Sequence, residues 1–158
     1  MEELLAYRSA LLSALKGVID ELSKMVTHRP PDFWLQPTKS GLHTPHYYLF
    51  RLCALEAQVF TLQLPRLLAE DHPVLPVFDE AAWMSAYYQP AEPFSAILEK
   101  FVELRHPELV WLGKLTSEGW SRLARHPWWG EHSLQWWVEL QVDCSYQHLN
   151  RMTPISGM

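Results

Sequence analysis

Cys144 and His148 stand four residues apart in the segment Cys144-Ser145-Tyr146-Gln147-His148. On a helix that spacing is about one turn, so the thiol and the imidazole would project from one face. With a third donor from elsewhere, such a soft or borderline pair could hold a divalent metal such as Zn. The same pair could run thiol chemistry if a nearby cation made Cys144 a thiolate. The competing use is structural, because cysteine is among the most buried residue types. Tyr47, Tyr48 and Arg51 form a second cluster. Two phenol hydroxyls one turn before a guanidinium could line a pocket, and the arginine would suit a small anionic ligand. Arg51 itself is no ordinary metal ligand, since it stays protonated and has no free lone pair. Glu103 and His106 make a single Glu-x-x-His pair beside Pro107, whereas di-iron bundles need matched carboxylates on several helices. The chain carries no HExxH, EF-hand, Walker A, GxSxG or GxGxxG pattern.

Helices must position these groups. Leu4, Leu5, Leu11, Leu12, Leu15, Val18, Ile19, Leu22, Met25 and Val26 recur at three- and four-residue steps, one apolar stripe on a long first helix. Gly17 within it costs ~1 kcal/mol relative to alanine. The helix must stop before Arg29-Pro30-Pro31, and 27–43 reads as a loop. Thr44-Pro45 is a cap followed by a first-turn proline. From there the second helix is expected to reach about Glu70, with Tyr48, Leu52, Leu55, Val59, Leu62 and Leu67 as its apolar positions. Pro73, Pro76, Pro90 and Pro93 exclude a long helix over 71–93, although Asp79-Glu80 could open a short one. The third helix begins near Pro93 and should kink or break at Pro107. Residues 124–132 read as a loop, and Ser133 caps a last helix that runs to about Met152. No strand alternation of useful length is visible. The expected architecture is all-α: a four-helix bundle with short extra helices in its connections, forming one domain over 1–158.

The segment from Thr44 to Glu56, Thr-Pro-His-Tyr-Tyr-Leu-Phe-Arg-Leu-Cys-Ala-Leu-Glu, resembles the second-helix signature of the DinB-like superfamily. The stretches Leu68–Trp83, Leu115–Gly130 and Cys144–Met152 are similar to that family's next connection, approach to the fourth helix and fourth helix. The resemblance implies up-down-down-up topology, dimers, and a divalent metal such as Zn or Ni held by three histidines, one on helix two and two on helix four. It also implies, for many members, thiol-dependent transferase or isomerase activity. The three positions fall here on Arg51, Cys144 and His148, so one histidine remains. His46 cannot replace the first, because five residues rotate it by about 140° away from Arg51. The expectation is therefore a bundle without the family's metal or any other cofactor, in which the Arg51 guanidinium takes the metal's position and the surrounding pocket admits an anion. The alternatives are an altered metal or thiol site on Cys144 and His148, and a non-catalytic oligomeric scaffold.

Composition limits the partners. The chain has 158 residues, net charge −5, and no basic run or stripe, which argues against nucleic acid. No apolar run reaches the roughly 18 to 20 residues needed to cross a bilayer. The start, Met1-Glu2-Glu3, lacks the basic segment of a signal peptide, and the two cysteines fit no disulfide framework. A cytoplasmic protein is expected. Eight tryptophans, with neighbours at 128/129 and 136/137 that cannot share one face, point to a homodimer.

Overall fold

Periodicity, caps and most prolines act where the sequence places them, with four departures. In the computed structural model, which describes residues 2–39 and 43–153, helix α1 spans Glu2–His28. Helix α2 starts at Pro45 and is regular to Leu55. Thr44 accepts a hydrogen bond from the Tyr47 amide at 3.2 Å, satisfying one of the free N–H groups at that end. A short connecting helix α3 spans Glu80–Tyr87, capped by Asp79. Helix α4 covers Phe94–Gly113, and α5 covers Leu134–Arg151, capped by Ser133. Both α1 and α2 pack mainly against α4 and α5, so α1 and α2 lie on one diagonal of the bundle. Arg8 near the start of α1 bonds Gln135 at the start of α5, and His46 at the start of α2 bonds the Glu92 carbonyl just before α4. Arg51 in the first half of α2, by contrast, meets His148 near the end of α5. So α1 and α5 run one way and α2 and α4 the other, the up-down-down-up arrangement. Among the described residues no helix is long and apolar enough to cross a membrane.

The first departure is in α2. After Leu55 the chain makes a π-turn over Glu56–Phe60, followed by short helical turns at Thr61–Gln63 and Arg66–Ala69 on either side of Pro65. One extra residue per turn shifts the helical phase. The buried stripe therefore moves from the expected Val59 and Leu62 to Phe60 and Leu64, leaving Leu62 exposed, while Leu67 is buried as expected. The second is the loop over 27–43. Its part at 31–35 is a 3₁₀ turn that buries Phe33 and Trp34, while 40–42 fall outside the described residues. The third is the expected loop at 124–132, which is instead an antiparallel hairpin of β1, Leu123–His126, and β2, Gly130–Ser133. Four-residue strands are too short to show an alternating pattern. Gly130 has φ +80, a conformation glycine adopts without a Cβ penalty. The helix also continues through Pro107 rather than breaking there.

The core is divided along the bundle axis. One apolar cluster gathers Val18, Leu22, Tyr48, Leu52, Phe101 and Met152; the other gathers Leu11, Leu15, Leu55, Leu112, Trp137 and Val138. Between them lies a polar layer. The Arg105 Nε and Nη2 groups donate to the two Glu56 carboxylate oxygens at 2.6 and 3.0 Å. Arg105 also donates to the Leu15 carbonyl and to Ser145 Oγ. Gln141 Nε2 donates to Glu56 and Glu108 at 2.9 and 2.7 Å. Glu56 and Arg105 are both fully buried, and all four long segments contribute an atom.

Removing one member of a buried pair strands the other charge in the core. Arg105→Met is expected to lower the unfolding free energy by about 3–5 kcal/mol, read as a shift of the urea midpoint. Ser133→Ala, which removes only a helix cap, is expected to cost about 1 kcal/mol.

Candidate functional site

One turn from the polar layer, α2 and α5 bring Arg51 and His148 together. The α2 phase set by the Thr44 cap points Arg51 inward, and its side chain is 15% exposed. Its guanidinium lies over the buried Tyr48 ring, 5.6 Å from the centroid. Arg51 Nε–H donates to His148 Nε2 at 3.0 Å. Since that nitrogen accepts, the imidazole proton sits on Nδ1, which donates to the Cys144 carbonyl at 2.8 Å. Both ring nitrogens are used. Burial, reinforced by the Arg51 charge and only partly offset by the bond to Cys144, lowers His148 to about 4, so the ring is neutral. Arg51 Nη2 lies 3.9 Å from Glu80 at the start of α3, which ties the connecting helix to the same guanidinium.

Cys144 places its sulfur 3.7 Å from His148 Nδ1. Burial raises this thiol to about 12, with Glu80 adding to the shift. Arg51 opposes this shift but does not outweigh burial, so the thiol stays protonated and is a poor nucleophile. At Arg51, Cys144 and His148 the three side chains are each already committed. The first carries a fixed cation, the second a protonated thiol, and the third an imidazole whose lone pair is already engaged. Among the described residues no group of three or more His, Cys, Asp and Glu side chains is gathered to hold an ion.

Tyr48 is part of this cluster, whereas the Tyr47 ring stacks on His43 at 3.6 Å and meets Tyr88 edge-on. His43 closes the segment expected as a loop before α2; burial and then the Arg51 charge lower its pKa. His46 is buried on another side of α2, accepting from Tyr88 Oη at 2.7 Å and donating from Nε2 to the Glu92 carbonyl. It thus engages Tyr88 and Glu92 rather than the Arg51 cluster, as a rotation of about 140° along α2 requires. A cavity of about 50 Å³ lies by Cys53, lined by Phe50, Ala54, Trp83 and Ile97, and Arg51 is not in its wall.

Two outcomes follow from these environments. Iodoacetamide is expected to label Cys144 only after denaturation; rapid labelling of the folded protein would mean a thiolate. Because His148 is held below its unfolded value of about 6.5, its contribution to stability is present above that pH and is lost as pH falls through about 4. The destabilisation caused by His148→Gln should therefore be largest above pH 6.5 and shrink toward pH 4, measured by urea unfolding across that range.

Comparison with known proteins places the fold. No family model matches the sequence, and no curated protein matches it. Among solved structures the chain is similar to YfiT from Bacillus subtilis, described as a probable metal-dependent hydrolase with an unusual four-helix bundle topology. The match has a TM-score of 0.81 and 22% identity, and covers 92% of this chain and 83% of that one. This chain has the four-helix-bundle fold of YfiT.

Proposed function

We propose that this chain is a DinB-like bundle in which the Arg51 guanidinium stands where the family carries a metal ion, and that the site binds a small anion instead of activating water or thiol. One observation carries this reading: the 3.0 Å hydrogen bond from Arg51 Nε to His148 Nε2. A fixed cation thus faces the lone pair that a metal would otherwise need. Two further features support an anion site. Glu80 already sits by Arg51 Nη2, at 3.9 Å and 42% exposed, as an incoming carboxylate or phosphate would. Its pairing is long and solvated, so an anion reaching both terminal nitrogens would compete with it. The thiol-transferase alternative loses support from the protonated state of Cys144.

Metal analysis tests the replacement. Protein purified without a polyhistidine tag is expected to contain far less than one equivalent of Zn or Ni. Restoring imidazoles at both positions, Arg51→His with Cys144→His, should create tight Zn or Ni binding that is lost when His148→Ala is added. Stoichiometric metal in the unaltered protein, abolished by His148→Ala alone, would contradict the proposal.

The homodimer is a proposal of the same rank. Its support is the exposure of Trp128 and Trp129, 72% and 47%, at the tip of the hairpin, since aromatic residues are enriched at interfaces. Sedimentation showing only the 18.5 kDa species at micromolar concentration would count against it.

A further inference from the structure

The polar layer holds more acid than cation. Glu56 and Glu108 are 0% and 1% exposed, and Arg105, 0% exposed, is the one cation bonded within the cluster among the described residues. The Arg105 N–H groups go to Glu56, to Ser145 and to the Leu15 carbonyl, and none reaches Glu108. Two ionised carboxylates here would leave a net buried negative charge, which is costly. The hydrogen-bond inventory has a matching gap. Gln141 turns its amide nitrogen to both acids, and its oxygen is left without a donor. Gln141 Oε1 and Glu108 Oε2 are the two atoms of the layer left without a partner. Both are acceptors when Glu108 is ionised, and what is missing is a donor.

We propose that Glu56 and Glu108 share a single negative charge: Glu56 is the carboxylate paired with Arg105, and Glu108 is a neutral carboxylic acid with its proton on Oε2. The proton turns one orphan acceptor into the donor that the other requires, either directly or through one buried water. Groups from all four segments act on Glu108. The π-turn contributes the Glu56 charge, α4 contributes Arg105, α5 contributes the uncharged Gln141, and α1 reaches the layer through the Leu15 carbonyl bonded to Arg105. Burial, and then the Glu56 charge, push Glu108 up to about 8, against smaller opposing effects of Gln141 and Arg105. The layer is thus a proton-dependent joint between the two halves of the core. Its folded value lies above the unfolded one, so its stabilising effect is complete at low pH and is lost as pH rises through about 8.

Infrared spectroscopy of the full chain at pH 7 reads the proton directly. A carboxylic-acid C=O stretch is expected in the unaltered protein, absent in Glu108→Gln, and disappearing on titration with a midpoint near 8. Glu56→Gln removes the competing charge and frees Arg105, so Glu108 should ionise and the band should vanish although Glu108 is present. Absence of the band from the unaltered protein, its survival in Glu108→Gln, or its survival unchanged in Glu56→Gln would each overturn the shared charge. Should Glu56→Gln fail to fold, urea unfolding decides. Over pH 7 to 8 the folded-to-unfolded ratio of the unaltered protein should fall by up to about tenfold, while Glu108→Gln stays flat. Equal pH slopes in the two proteins would overturn the proposal.

Discussion

The Glu56–Arg105 pair is the constraint around which the rest of the bundle is arranged. Two fully buried charges at 2.6 Å tolerate no misplacement, because desolvating them is repaid only by good geometry and by further hydrogen bonds. The remaining bonds come from α1, through the Leu15 carbonyl, and from α5, through Gln141 and Ser145. The pair therefore sets the register of all four long segments at one level. The π-turn that begins at Glu56 belongs to the same constraint. It starts where the carboxylate enters the layer, and it changes the phase of the chain that follows.

The Arg51–His148 contact depends on that register. Glu56 follows Arg51 by five positions, just past the end of α2, and on α5 His148 follows Ser145 by three. With the polar layer holding both helices, the guanidinium and the imidazole meet at hydrogen-bond distance. A hydrogen bond from a charged donor contributes about 1.5–3 kcal/mol. It is also self-consistent: a neutral imidazole with its proton on Nδ1 accepts at Nε2, and the neighbouring cation in turn disfavours a second proton. YfiT has the same fold, yet fold does not carry chemistry with it. Here Arg51, His148 and the Cys144 carbonyl form a closed hydrogen-bonded chain.

Much of the frame was legible in the sequence because its signals are local. The Thr44, Asp79 and Ser133 caps, the α1 stripe and the i, i+4 relation of Cys144 and His148 all involve residues within one or two turns. The π-turn, the hairpin and the buried turn around Trp34 were not legible, since each depends on long-range packing or is too short to repeat a pattern. The polar layer was missed for a different reason. Charged residues usually mark the solvent face, so nothing in their residue types marks Glu56 and Arg105 as buried. Their phase carried a signal nonetheless. Arg105 and Glu108 continue the buried series Ile97, Leu98, Phe101 and Leu112, and Gln141, Ser145 and His148 continue Leu134, Trp137 and Val138. Polar residues in step with an apolar stripe, on helices that face one another, are the trace a buried network leaves.

The central claim is that the Arg51 guanidinium engages the His148 nitrogen a metal would need. Long-range ¹H–¹⁵N NMR of the His148 ring, in tag-free protein before and after one equivalent of Zn²⁺, tests it most directly. The expected result is a ring protonated at Nδ1, with an unprotonated Nε2 that zinc leaves unchanged. A zinc-induced shift at His148 Nε2 at stoichiometric metal, with Arg51 intact, would contradict it.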